Sequence, residues 1–197
     1  MLKNPRVENT KTIREFQTSN NYSRENSLII KADTSDAIQK IFLPIIVDYY
    51  IFDKNGEQIC YANSKTCSGD QIKELIKGEL DNFSKCKNDS VTLEKILEQT
   101  YDLSENPITK SRFQKSDYYI VTYWAKYLGG KKAYEDTVVF LEDQISESNS
   151  SLKFTAININ TDLQENWGFI AGGKAKLKYK QKGGNLTLTI DDLPIKK

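Results

Sequence analysis

A chain of 197 residues is long enough to bury a core, and short enough for one medium domain or two small ones. Its 28 basic and 27 acidic residues leave a formal charge of +1, which gives no general field to attract nucleic acid or an anionic membrane. Histidine is absent, so Ser-His-Asp and Cys-His catalysis and histidine-built zinc, copper and iron sites are excluded.

Residues 1–26 are polar, with Ile13 and Phe16 as apolar anchors, and read as a mobile arm or a short helix. Ser27 to Ala32 has strand character. Ala37 to Ile41 suggests a short helix that Pro44 stops. Ile45 to Phe52 is apolar, β-branched and aromatic, as a strand should be. The turn Asp53-Lys54-Asn55-Gly56 joins it to a return strand, Glu57 to Ala62, with Asn-Gly supplying the positive φ of a tight hairpin. Asp53, Asn55 and Glu57 resemble a calcium loop only loosely, since the Gly and distant Glu of an EF-hand are missing.

After a loop at Asn63 to Thr66, Ser68 with Gln71 three residues later has the form of a capping box. Ile72, Leu75, Ile76, Leu80 and Phe83 then share one face, which predicts a helix over 68–83. A loop over Ser84 to Asp89 precedes a second helix over 90–103, with Leu93, Ile96, Leu97 and Tyr101 as its stripe. An irregular link containing Pro107 follows.

Asp117 to Trp124 is a strong strand pattern. A turn containing Gly129-Gly130 leads into a helix over 131–146, with Tyr134, Val138, Leu141 and Ile145 on one face. Leu152 to Asn160 is another strand, and strand, helix, strand in this order predicts a parallel βαβ unit. A last hairpin turns at Gly183-Gly184, between Ala175 to Lys180 and Asn185 to Ile190. The chain thus divides into a polar arm (1–26), an α+β half (27–115, hairpin over 45–62) and a βαβ unit with a C-terminal hairpin (116–197).

The stretch from Tyr119 to Lys132 resembles the active-site segment of the thioredoxin-like superfamily: an apolar strand, then Tyr123, Trp124, Ala125, Tyr127, Gly129 and Lys132 at the start of a helix. Phe154 to Asn160 is similar to that family's next strand, and the hairpin and helix of the N-terminal half resemble its closing hairpin and helix. The resemblance implies an α/β thioredoxin-like three-layer sandwich with an additional N-terminal α+β segment, which either forms a separate layer or joins the same sheet. The departures fall on the chemistry. Leu128 and Lys131 stand where the family has its two redox cysteines, Gly130 replaces the proline between them, and Thr122 stands in place of a buried acid. No proline lies between Asn160 and Leu177, where the family's substrate-binding proline loop would be. Thiol exchange needs a thiolate, and none can form at those positions.

The candidate site residues follow from this. Trp124, Tyr127, Leu128, Gly129, Gly130 and Lys131 would line a retained binding groove, or Trp124 and Tyr127 would simply pack where strand meets helix. The Gly129-Gly130-Lys131-Lys132 turn could also hold an anion on the helix start. Lys174, Lys176, Lys178, Lys180 and Lys182 alternate, forming a basic stripe along one face of a strand. That stripe would dock an acidic partner, a lipid headgroup or a glycan, or would protect an edge strand from pairing. Cys60 and Cys67 allow a disulfide, and with Cys86 one cysteine is unpaired in any case.

The expected function is a non-catalytic binding or scaffolding module with no catalytic residue, cofactor or metal, and with an unknown protein or peptide as partner. No nucleic acid partner and no membrane span are expected. The alternative is an envelope protein related to thiol-disulfide oxidoreductases, working through Cys60 or Cys67. With no signal visible the chain as numbered reads as cytoplasmic; a removed signal or a lipid anchor ahead of Met1 would place it in a bacterial envelope instead.

Overall fold

Every residue from Tyr119 to Trp124 is buried, so this strand must be covered on both faces. Its side chains alternate accordingly. Tyr119, Val121 and Tyr123 enter one cluster with Phe52, Ile157 and Ile159, while Ile120 points to the other face with Ile51, Ile72 and Leu141. The computed structural model describes residues 3–46, 49–62, 67–86, 90–182 and 185–196.

In chain order the elements are α1 (Thr10–Ser19), β1 (Ser27–Ile30), α2 (Ala37–Ile46), β2 (Tyr50–Asp53), β3 (Gln58–Tyr61), α3 (Ser68–Lys77) and β4 (Phe83–Lys85). Then come α4 (Leu93–Glu98), β5 (Thr100–Asp102), β6 (Tyr118–Trp124), α5 (Lys131–Tyr134), α6 (Phe140–Ser146), β7 (Phe154–Asn160), β8 (Lys176–Lys182) and β9 (Asn185–Asp192). A π segment, Glu135–Val139, joins α5 to α6, and the flanking torsions stay right-handed, so the two run on as one helix. Seven strands form one mixed sheet in the order β4-β3-β2-β6-β7-β1-β5, and β8 pairs with β9 in a separate ribbon.

The βαβ unit is parallel, registered from Tyr118 opposite Phe154 to Trp124 opposite Asn160. The N-terminal half is not a separate layer. Its β2 pairs antiparallel with β6, Tyr50 opposite Val121 through Asp53 opposite Tyr118, and β1 pairs parallel with β7. Helices cover both faces: α2 and α4 over the Tyr119 side, and α1, α3, α5 and α6 over the other.

The hairpin turn forms as expected. Gly56 has φ +87°, and the Asp53 carboxylate accepts from the N–H groups of Asn55 (2.8 Å) and Glu57 (3.0 Å). The strand ahead of it is shorter than the expected 45–52. The helix α2 instead runs through Pro44 to Ile46, and β2 starts only at Tyr50. The run Ile38 to Ile46 is apolar at both periods, so burial decides: Ala37 and Ile41, four apart, both pack into the core. Val47 and Asp48 of the expected strand lie outside the described residues.

The helix expected over 68–83 ends at Lys77, where Gly78 takes a left-handed φ of +83°; Phe83 then enters β4 opposite Tyr61. Cys67, not Ser68, is the N-cap. The helix expected over 90–103 is only Leu93–Glu98, capped by the Thr92 hydroxyl on the Lys95 N–H (3.3 Å). Thr100 to Asp102 becomes an edge strand because β1 otherwise has an open side. Of the mobile arm or short helix expected over 1–26, the structure shows the helix, α1, tied to its neighbours. Asn9 and Thr12 make a reciprocal capping box for α1, and Ile13 is fully buried. Ahead of it, Val7 N–H donates to Gly173 and Ala175 N–H to Pro5, so residues 5–8 lie extended against the tail. The loop expected over 84–89 begins later, since Ser84 and Lys85 belong to β4; its residues 87–89, the expected loop at 63–66 and the Gly183-Gly184 turn lie outside the described residues.

A basic cleft as the candidate functional site

The parallel strands β6 and β7 end together at Trp124 and Asn160, and ligands of open α/β sheets sit beyond such carboxyl ends. Beyond them lies a cleft of about 770 Å³. Three segments line it: the extended arm (Lys3, Arg6, Glu8), the turn after β6 (Lys126, Tyr127, Gly130, Lys131) and the chain leaving β7 (Asp162), with Lys174 closing the side. Phe16 lies beneath, with the Lys126 ammonium 5.7 Å above its ring centre.

The acids of the cleft are already engaged. Asp162 is 1% exposed. Its carboxylate accepts twice from the Lys126 N–H (3.1 and 2.9 Å) and once from the Asn160 side-chain amide (2.8 Å). Burial pushes its carboxyl up to about 6; the bonds from Lys126 and Asn160 pull it back only in part, and nearby Glu8 adds to the rise. Glu8, also buried, bonds the Lys126 ammonium at 2.8 Å.

The residues expected to line a groove are divided by the structure. Trp124 is 2% exposed; it stacks on Phe16 at 5.6 Å and meets Tyr134 edge-on at 4.6 Å. It therefore forms core, not an aromatic rim. Tyr127 is buried as well, and its hydroxyl donates to the Ile41 carbonyl of α2. Burial pushes that hydroxyl well above the usual phenol range. Leu128 packs partly buried against the core. Gly129 (φ +144°) and Gly130 (φ +60°) both hold left-handed torsions that favour glycine. Lys131 is exposed and pairs loosely with Glu135 at 3.6 Å. Of these residues, Tyr127, Gly130 and Lys131 line the cleft.

The basic stripe is divided too. On the hairpin, Lys178 bonds Asp191 at 2.8 Å and Lys176 stands opposite Asp192, so acids across the ribbon answer these lysines. Lys174 instead reaches the cleft. The side chains of Lys180 and Lys182 lie outside the described residues. Arg6, Lys3, Glu8, Lys126 and Asp162 carried no local motif. What unites them is the pairing of the arm with the tail, more than 150 residues away, which no spacing in the sequence signals.

The thiols lie elsewhere. Cys60 on β3 is bonded to Cys86 just after β4, not to Cys67. Register decides this: Cys60 stands opposite Ser84 on the neighbouring strand, two residues from Cys86. Cys67 is exposed, and its Sγ donates to the Asp70 carboxylate at 2.9 Å.

A second cleft, about 540 Å³, holds Glu142 with Glu25 and Arg112 near the start of β7. Burial, then Asp143 and Glu25, raise the Glu142 carboxyl to about 7. Among the described residues no group of three or more Cys, Asp or Glu could hold a metal ion, and no helix is long and apolar enough to cross a membrane. Compared with known proteins, the chain matches no family model, no curated protein and no solved structure.

Proposed function

We propose that the chain is a non-catalytic binding module of thioredoxin-like design that receives a protein or peptide partner in the cleft beyond β6 and β7. The observation that carries the reading is local. At the start of α5, Leu128 and Lys131 offer no thiol, and the turn between them opens onto a cleft instead. The layout supports it as well. A parallel strand-helix-strand unit is flanked on the β6 side by an antiparallel hairpin that leads into a helix, α3, as the family's closing hairpin and helix do. Here these elements precede the βαβ unit in the chain rather than follow it.

Insulin reduction in the presence of dithiothreitol tests the non-catalytic half of the proposal. The expected rate equals that of buffer, for the protein and for Cys67→Ser alike. Turnover that Cys67→Ser abolishes would replace this reading with the oxidoreductase alternative. Selection from a displayed random-peptide library tests the binding half. Clones should bind the protein and lose binding to Lys131→Trp, which fills the cleft; clones indifferent to that change would place the binding site elsewhere.

A further inference from the structure

Two cations face each other here with no acid between them. Arg6 and Lys174 are directly opposed across an antiparallel bridge. Among the described residues, neither side chain has a hydrogen-bonded or ion-paired partner. Like charges opposed across a strand pair destabilise it. The hairpin differs: two residues further on Lys176 stands opposite Asp192, and four residues further on Lys178, opposite Thr189 in register, bonds Asp191. Lys178 on the ribbon has an acid partner, whereas Arg6 and Lys174 have none among the described residues.

The two acids of the cleft do not answer it. Glu8 is held by Lys126, and Asp162 is buried under the Lys126 N–H and the Asn160 amide. The backbone is occupied as well, with Val7 and Glu8 donating to Gly173 and Leu163 and Ala175 donating to Pro5. The arm's edge toward the tail is thus taken, and the charged side chains of Arg6 and Lys174 are what the cleft offers a ligand there. Its positive groups, Lys3, Arg6, Lys131 and Lys174, are spread over three separate segments around about 770 Å³, so a single phosphate would leave most of the space open.

We infer that the cleft recognises an acidic peptide segment of a partner protein, whose carboxylates seat between Arg6 and Lys174. This rests on the binding-module reading above and specifies its ligand. Charge-assisted bonds from a guanidinium and an ammonium to carboxylates provide the attraction, and relief of the Arg6–Lys174 repulsion adds to it. Because the recognition is electrostatic, it weakens as salt rises.

The test is a fluorescence-anisotropy titration with a labelled decapeptide of alternating Glu and Ser, against the same peptide with Gln for Glu. The Glu peptide should bind at low salt, and the Gln peptide roughly tenfold more weakly or worse, the loss of one or more charge-assisted bonds. The double variant Arg6→Gln/Lys174→Gln should lose about tenfold in affinity, by the same measure. Its Tm should stay level or rise by about 1–3 °C, since a repulsion is removed. The control Lys176→Gln/Lys178→Gln should bind as the parent does. If the Gln peptide binds equally well, the binding module stands and its acidic specificity falls. Equal weakening by the control, full displacement by millimolar inorganic phosphate, a lowered Tm in the double variant or no binding of the Glu peptide would each overturn the inference.

Discussion

At the scale of single residues, Asp162 carries the clearest consequence. Its carboxyl is raised from 3.8 to about 6 by burial, so the folded state holds its proton more tightly than the unfolded chain does. Its ionisation therefore costs the fold nothing below about pH 4, and the penalty grows as pH rises to about 6 and is complete above it. The full difference is about 3 kcal/mol at roughly 1.4 kcal/mol per pH unit. Asp162→Asn removes this dependence. Urea unfolding at pH 4.5 and 7.5 should show the variant gaining on the parent at the higher pH; a difference independent of pH would show that Asp162 is not the titrating group. Glu142, raised to about 7, pushes stability in the same direction over an overlapping window, so the parent itself should be less stable at pH 8 than at pH 5. None of this was legible in the sequence. An Asp in Asn-Thr-Asp-Leu reads as a polar loop, and only the fold shows that it is sealed beneath the turn after β6.

At the scale of elements, what was legible had a local cause. The strands β6 and β7, the helix between them and the turn at Asn55-Gly56 follow from periodicity and glycine chemistry within short windows. What was missed depended on distant neighbours. Thr100 to Asp102 fits the helical stripe begun by Leu93, yet the open side of β1 draws it into the sheet. Pro44 reads as a stop, yet α2 passes through it because Ala37 and Ile41 are already anchored. The sheet edge at β4 is the least supported element: three residues, two of them exposed, fastened to β3 by the Cys60–Cys86 disulfide. That bond closes a loop of sequence separation 26, worth about 3.5 kcal/mol in the unfolded-chain entropy model. The variant Cys60→Ala/Cys86→Ala should unfold at lower urea by about that amount, and hydrogen exchange should rise first at Phe83 to Lys85. Unchanged exchange there would show that the ribbon holds without its bridge.

At the scale of the whole molecule, the sheet is assembled from both halves of the chain, with β1 and β2 on either side of the β6–β7 pair. Residues 3–8 belong to this unit as much as any strand does. Val7 is 3% exposed, and the arm is bonded to residues near 127, 163 and 173. Removing residues 1–8 should lower the unfolding free energy by about 2–4 kcal/mol, from the burial of Val7 and the loss of Glu8 beside Lys126. Denaturant melts followed by tryptophan fluorescence would measure it, and an unchanged midpoint would show the arm to be dispensable. The bond from Lys3 N–H to the Tyr127 carbonyl has a practical corollary. Lys3 itself lines the cleft, so an affinity handle or fluorophore attached at Lys3 would compete with whatever the cleft receives. The Lys54-Asn55 turn sits at the other end of β6, beside Tyr118, and is the safer place for a reporter.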